Sequence, residues 1–331
     1  MAAAEEPPAP EVPGPPRPRS RLWAWGQLLR LPNLFTVPGD PLAGFLLAQA
    51  AGLSASRPVL RMALAACVSL LMYAAGLLWN DWFDLAEDRR ARAHRPLPSG
   101  LVRPGVAALA ANVLVAMAIA VAAIAGTTTL YLAMCLGATM LAYDAFAKRL
   151  PVIGPLLMGM CRGLSVLVGA AAFARDGLGC TGVLVHAGGT TLYIAAVTWL
   201  AAGETRKLAI GMKCGLISAA TVAWIVGLFA TMLPGAASVA PPGASVCMLP
   251  FMAYAIAAGL AGAWILGVVF RLGRRPEPAR VQRAVGGLIS GLVLMQVAAA
   301  VFGALHGIYV AAGLAACLAL NRVLARRFYA S

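Results

Sequence analysis

An amide and three carboxylates stand in the pattern Asn80-Asp81-x-x-Asp84-x-x-x-Asp88. An apolar run ending in Leu77-Leu78-Trp79 precedes them, and Arg89, Arg90, Arg92, His94 and Arg95 follow at once. The offsets from Asp81 to Asp84 and Asp88 are those of a single helical face. Acids gathered on one face repel one another unless a cation sits among them. Mg²⁺ is the cation of choice, because it takes hard oxygen ligands, needs only one or two carboxylates, and completes its shell with water and phosphate oxygens. The pattern therefore implies a metal together with a phosphorylated ligand. The basic run leads into Pro96-Leu97-Pro98-Ser99-Gly100, a turn-rich segment able to hold cations over a phosphate. A solvated helix end explains many acidic runs, but here Trp82 and Phe83 lie between the acids.

Two more polar runs follow apolar stretches. Tyr143-Asp144-Ala145-Phe146-Ala147-Lys148-Arg149 supplies Lys148 as a point charge for phosphate, and Gly203-Glu204-Thr205-Arg206-Lys207 has Glu204 as its only acid. Arg162 lies about ten residues into an apolar stretch, where an arginine is costly unless it faces a cavity or an anion. Asp40, between Gly39 and Pro41, is the other acid within an apolar stretch and a candidate partner for it, although sequence alone does not pair them.

The elements that carry these residues are set by hydropathy. Of 331 residues, 61% are hydrophobic and 11% charged, with a mean hydropathy of +0.82. Such a composition excludes an ordinary soluble domain. Roughly 20 apolar residues cross a bilayer as a helix, and several uncharged runs are long enough for two crossings. Between Arg103 and Asp144 the turn is expected at Gly126 and the threonines after it. From Gly215 to Phe270 it is expected at Pro234-Gly235 and Pro241-Pro242-Gly243. From Ala284 to Asn321 it is expected around His306, between Gly303 and Gly307. With single spans near 33 to 53, 60 to 80, 152 to 174 and 183 to 203, the expectation is an all-α polytopic transmembrane bundle of nine core helices with a tenth added, capped by cytoplasmic loops.

The net charge of +14 is not that of a nucleic-acid binder, because the basic residues fall in short clusters between apolar spans. With the N-terminus in the cytoplasm, 22 of the 26 lysines and arginines lie on the inner side; Arg57, Arg61 and Arg175 lie outside and Arg162 lies within a span. Ten spans also bring the basic C-terminus inside. The expected location is a bacterial cytoplasmic membrane. The seven cysteines show no metal-binding spacing and read as small apolar packing residues. Residues 1–20, rich in Pro, Ala and Glu, read as a disordered tail. The expected division is a transmembrane domain over 21–303 and an additional helix with a basic tail over 304–331.

Asn80-Asp81-x-x-Asp84-x-x-x-Asp88 at the end of one span, Arg95-Pro96-Leu97-Pro98-Ser99-Gly100 directly after it, and Tyr143 to Arg149 at the end of another together resemble the UbiA superfamily of intramembrane prenyltransferases. The resemblance runs from about residue 28 to 303. It implies a helical bundle around a lipid-open cavity, with a prenyl diphosphate and a lipophilic acceptor as substrates. By resemblance, Asp81, Asp84 and Asp88 with Asn80 hold Mg²⁺ on the diphosphate, and Arg95 and Lys148 bind it. Tyr143, Asp144, Arg162 and Lys207 complete the expected substrate-binding set. A second acidic motif of the type DxxxD, usual in the family, is reduced here to Glu204, the surviving ligand of a second metal position. That departure, with Met158 to Leu164 reading Met-Gly-Met-Cys-Arg-Gly-Leu, is similar to the UbiA-like branch encoded with the bacterial ebo gene cluster.

Two readings follow. One is a Mg²⁺-dependent transferase of prenyl groups to an aromatic or other lipophilic acceptor. The other, motivated by the reduced second motif, is an isoprenoid-binding or transport-associated membrane protein without turnover. A secondary transporter would carry polar residues deep in several spans and inverted halves, and neither is evident. The signature of a CDP-alcohol phosphotransferase is absent.

Overall fold

In the computed structural model, the described residues are 20–202, 210–238, 249–273, 276–301 and 304–328, and they are helical with short turns. In chain order the helices are α1 (Arg21–Leu28), α2 (Leu31–Leu34), α3 (Gly39–Ala50), α4 (Pro58–Phe83), α5 (Leu85–Ala91), α6 (Pro104–Ala125), α7 (Thr127–Ala145), α8 (Ile153–Phe173), α9 (Thr181–Ala201), α10 (Ile210–Ser238), α11 (Leu249–Leu272), α12 (Pro278–Ala300) and α13 (Ala304–Phe328). Seven of them are long and apolar enough to cross a membrane: α4, α6, α8, α9, α10, α11 and α12. The chain is a multi-pass integral membrane protein.

Helix limits follow from local chemistry. Proline opens α4, α6 and α12, where its missing amide costs nothing and its fixed φ suits the first turn. Gly126, at φ 144, closes α6 and starts α7 in a conformation that side chains disfavour, which places the turn where the sequence indicates. On that side Arg61 donates to the carbonyls of Ala125 (3.5 Å) and Ala172 (3.0 Å), satisfying the ends of α6 and α8.

Three expectations need correcting. The span expected at 33 to 53 is broken into α2 and α3, because Pro32, Pro38 and Pro41 interrupt the amide ladder. With 12 residues, α3 is about 18 Å long, too short to cross by itself. Helix α10 continues through Pro234-Gly235 to Ser238, since one missing amide donor near the end of a long helix removes a single bond of its ladder; residues 241–243 lie outside the described residues. Helix α12 ends at Ala300 and α13 starts at Ala304, so His306 and Gly307 stand inside α13 and not in a turn, while Gly303 lies outside the described residues. Of the remaining expected spans, α7 is as long as a crossing but carries four threonines, Tyr131, Tyr143 and Asp144, and the apolar part of α13 is confined to Gly307–Leu320.

Burial separates an inner from an outer set. In α8 and α12, 56% and 61% of the apolar stretch is buried, against 22% in α6, whose Val106, Leu109, Val113, Met117 and Ile124 face outward toward lipid. The short α3 is almost wholly enclosed, against α8 on one side and α12 on the other. Gly44 lies on the Val166 carbonyl and Gly169 on the Pro41 carbonyl, with no room for a side chain at either. Such close backbone approach is how helices gain dispersion contacts in lipid, where apolar surface alone gives no drive to associate. A second apolar cluster joins α4, α6, α7 and α8 around Met72, Ala118 and Leu136. A third ties Ala24 and Leu28 of α1 to Leu78, Leu97, Val102 and Ala111.

Candidate active site

Helix α4 does not run on through all three acids. It ends at Phe83, Asp84 sits at the junction with φ −85 and ψ −2, and α5 starts at Leu85. The amides of Asp84 and Asp88 still bond back to the carbonyls of Asn80 and Asp84 (3.0 and 2.8 Å), so the chain keeps its helical course through a slight break. At this end of the molecule Trp82 is exposed and stacks edge-on against Phe83 at 5.1 Å, as aromatics do at a bilayer boundary.

The three carboxylates do not converge on one point, as a shared helical face implied. Each faces its own cation: Asp81 Oδ1 lies 3.6 Å from Arg30, Asp84 Oδ1 lies 2.6 Å from Lys148, and Asp88 Oδ2 lies 2.7 Å from Arg95, with Arg92 at 3.5 Å from its other oxygen. Among the described residues no three acidic, His or Cys side chains gather into a ready cation cage. The break at Asp84 and the attraction of four separate cations account for the spread. Asn80 Nδ2 donates to Asp81 at 3.5 Å.

Each cation is delivered by its own short segment. Arg95 stands on a chain of turns in which Arg95 N donates to Arg92 O, Ser99 N to Arg95 O and Val102 N to Pro96 O, with Gly100 at φ 77. Leu97 and Val102 bury beneath it against α1, α4 and α6, so packing holds the Pro96-to-Gly100 segment over the acids. Lys148 stands on the single 3-10 turn Ala147–Arg149 after α7, held by buried Ala147 against Gly154 of α8, where a side chain would strike the Ala147 carbonyl. Arg30 occupies the left-handed position, φ 43, between α1 and α2. Sequence reasoning counts Arg30 only toward the charge bias. The available signal is its place directly before Leu31-Pro32, the start of the broken segment, on the same membrane face as the acids.

Beneath these charges lies a cavity of about 150 Å³ with Arg30, Asn80, Tyr143 and Asp144 at its polar end. Met72, Leu136, Met140 and Met158 make apolar walls, and Met140 fills the space beside Gly76. Methionine is flexible enough to yield to a chain of varying shape. At the deep end Ser69 and Ser165 bond to each other at 2.8 Å. Tyr143 and Asp144 are thus at the cavity, with Asp144 2% exposed. Glu204 and Lys207 lie outside the described residues.

Arg162 lines the same cavity but is already engaged. Its Nε is 2.8 Å from Asp40 Oδ2, and a terminal nitrogen donates to the Thr36 carbonyl at 3.2 Å. Gln296 of α12 donates to Asp40 Oδ1 at 2.6 Å and to the same Thr36 carbonyl at 3.1 Å. Asp40 N bonds Val37 O instead of reaching Thr36 O, so two side chains satisfy the carbonyl freed by the broken segment, as irregular backbone within a membrane requires.

Residues 41–290 match the UbiA prenyltransferase family. A digeranylgeranylglyceryl phosphate synthase from Methanosarcina mazei is 31% identical over 131 residues, covering 38% of this chain and 44% of its own length. The chain spans between 39% and 54% of the length of the curated relatives it matches. Among solved structures, one described as giving insights into digeranylgeranylglyceryl phosphate synthase in membranes aligns at TM-score 0.56 and 17% identity, covering 87% of this chain and 99% of its own. An apo UbiA homolog from Aeropyrum pernix K1 aligns at TM-score 0.51 and 20% identity, covering 84% and 97%. At these identities the structural likeness speaks for the fold alone, and the matches bear on the family without distinguishing a branch within it.

Proposed function

Because the chain belongs to the UbiA prenyltransferase family, we propose that it transfers a prenyl group from a polyprenyl diphosphate to a lipophilic acceptor within the membrane, with Mg²⁺ at the acidic cluster. The observation that carries this reading is the alternation of Asp81, Asp84 and Asp88 with Arg30, Arg95 and Lys148 at the mouth of an apolar cavity. A diphosphate head with an apolar tail is the ligand whose two ends need those two environments.

The donor set fits Mg²⁺: three carboxylates and an amide are hard-oxygen ligands, and Asp81 and Asp88, 9% and 2% exposed, are both held against cations, so the site already accommodates positive charge. Members of the family generally use a divalent metal. Asp81 and Asp84, with Asn80 and Asp88 beside them, would hold it, and Glu204 is the candidate for any second position. A metal held by these residues would supply Lewis-acid charge to the leaving diphosphate, which favours cleavage of the allylic C–O bond.

The chain's own residues do the rest. Arg30, Arg95 and Lys148 exchange their carboxylate partners for phosphate oxygens, which places their fixed charges where negative charge develops. Met72, Leu136, Met140 and Met158 keep water from the allylic carbon until the acceptor attacks it. Tyr143 and Asp144 stand where the tail meets the diphosphate, positioned to orient the acceptor. Arg162 acts in this scheme as a positioning residue, shaping the cavity wall through Asp40. The cavity of about 150 Å³ is smaller than the usual 300–1,000 Å³ of a drug-sized site, so a long prenyl tail requires the methionines to move aside.

The test is turnover by purified protein given polyprenyl diphosphates of several lengths, Mg²⁺ and a panel of acceptors, with diphosphate release and tail transfer both followed. The names of the curated relatives make a glyceryl phosphate that carries geranylgeranyl chains the first product to look for. Transfer that disappears in Asp81→Ala and Asp84→Ala supports the assignment. A folded protein that binds the diphosphate and never turns over would leave the isoprenoid-binding reading in its place.

A further inference from the structure

The ends of α11 and α12 that share a membrane face with the acidic cluster enclose a second concavity, of about 880 Å³, and none of its lining residues belongs to the cavity already described. Three exposed arginines stand at its wide end: Arg271 in the last turn of α11, and Arg280 and Arg283 in the first two turns of α12. Among the described residues no acidic side chain lines it. Among the described residues none of the three arginines forms an ion pair; Arg283 Nε donates to its own helix at Ala279 O, 3.3 Å away.

From these cations an apolar groove descends along α11 to Leu260, and Trp264 bridges it, its indole N–H donating to Gly287 O of α12 at 2.8 Å. Arg271 stands eleven residues after Leu260. At 1.5 Å per residue the groove is about 16 Å long, close to half of the roughly 30 Å hydrocarbon core, or one leaflet. Positive charge at headgroup depth, an aromatic below it and one leaflet of apolar wall are the complement of a lipid that carries an anionic phosphate. Basic pockets between transmembrane helices at a membrane face bind such headgroups.

We propose that the groove between α11 and α12 is a specific binding site for an anionic phospholipid of the leaflet that adjoins the acidic cluster, its phosphate held by Arg271, Arg280 and Arg283 and one acyl chain lying along Leu260 to Gly267. Three arginines converging on one phosphate can each add charge-assisted hydrogen bonds. Occupancy fastens α11 to α12, the helix that carries Gln296 to the buried Asp40.

Native mass spectrometry of the full-length protein in detergent, titrated with phosphatidylglycerol and with phosphatidylcholine of the same acyl chains, tests this. The wild type is expected to retain phosphatidylglycerol preferentially. Each arginine near the membrane surface contributes about fivefold to that preference, so Arg271→Gln/Arg280→Gln/Arg283→Gln should lower it by on the order of a hundredfold. A matched variant, Arg89→Gln/Arg103→Gln/Arg149→Gln, removes three exposed charges from the same face and should keep it. If the triple variant elutes as aggregate, Arg280→Gln alone should still show the fivefold loss. Equal retention of the two lipids by the wild type, an unchanged preference in the groove variant, an equal loss in the matched variant, or displacement of phosphatidylglycerol by inorganic phosphate would each overturn the assignment.

Discussion

The Asp40–Arg162 and Asp84–Lys148 pairs are nearly equal in length, 2.8 and 2.6 Å, and stand in opposite surroundings. Asp40 is fully buried among α3, α8 and α12, and Gln296 and the Thr36 carbonyl engage the same groups. Asp84 lies at a helix junction on the membrane face, 21% exposed, opposite a lysine on a single turn between two helices. The first pair has its charge balanced within the core, and Gln296 and the Thr36 carbonyl tie it to the neighbouring elements, so it serves to fix three helices. The second joins residues from segments that end at the cavity mouth, where, on the proposed reading, a metal and a diphosphate would replace both partners. Equal distances therefore carry unequal meaning: what surrounds a pair decides whether its charges hold the fold or await a ligand.

The largest expected effect comes from breaking the sealed pair. Arg162→Ala leaves Asp40 buried and unpaired, which should cost about 3–5 kcal/mol and appear as a large fall in the unfolding temperature of the detergent-solubilised protein. Joint replacement, Asp40→Leu with Arg162→Met, should recover much of that loss, since no lone charge remains. A comparable loss in Asp84→Ala would erase the distinction between the two clusters.

Asp84→Ala should instead leave unfolding close to wild type, while prenyl transfer falls about a hundredfold or more, the scale of several kcal/mol lost with a metal ligand. Next in size is Lys148→Ala, which removes one charge-assisted contact of about 1.5–3 kcal/mol; KM for the prenyl diphosphate should rise at least about tenfold, with unfolding shifted by no more than about 1 kcal/mol. The smallest effect is expected from Arg92→Gln, because Arg92 is half exposed and reaches Asp88 only at 3.5 Å, while Arg95 already holds that carboxylate. Its change in either readout should stay within about 0.5 kcal/mol.

Much of this division was legible in the residues. The acidic run, the Pro96-to-Gly100 turns and Lys148 do come together, because each sits at the end of an apolar helix whose limits hydropathy sets, and Gly126 marks a hairpin that the structure contains. The broken first span was less visible. Composition from 33 to 53 satisfies a hydropathy window, while Pro38 and Pro41 within it and Pro32 just before it act on backbone hydrogen bonds that no window weighs. The residues offered Asp40 as a partner for Arg162 without fixing the pair, because Asp40 and the Thr36 carbonyl are 122 and 126 residues away along the chain and meet Arg162 only once α3 packs on α8. Arg30 escaped notice for a related reason, since only a left-handed residue at the α1–α2 corner turns it toward Asp81. Pro234-Gly235 shows the reverse, a strong turn signal carried within a long helix.

The assignment of the membrane-face cluster to metal and diphosphate is tested most directly by the affinity of the purified protein for a prenyl diphosphate with and without Mg²⁺, in the wild type and in Asp81→Asn/Asp84→Asn. The expected result is tight binding that weakens about a hundredfold or more on removal of Mg²⁺ or on replacement of the two acids, with unfolding unchanged in the variant. Equal affinity in all four conditions would contradict it.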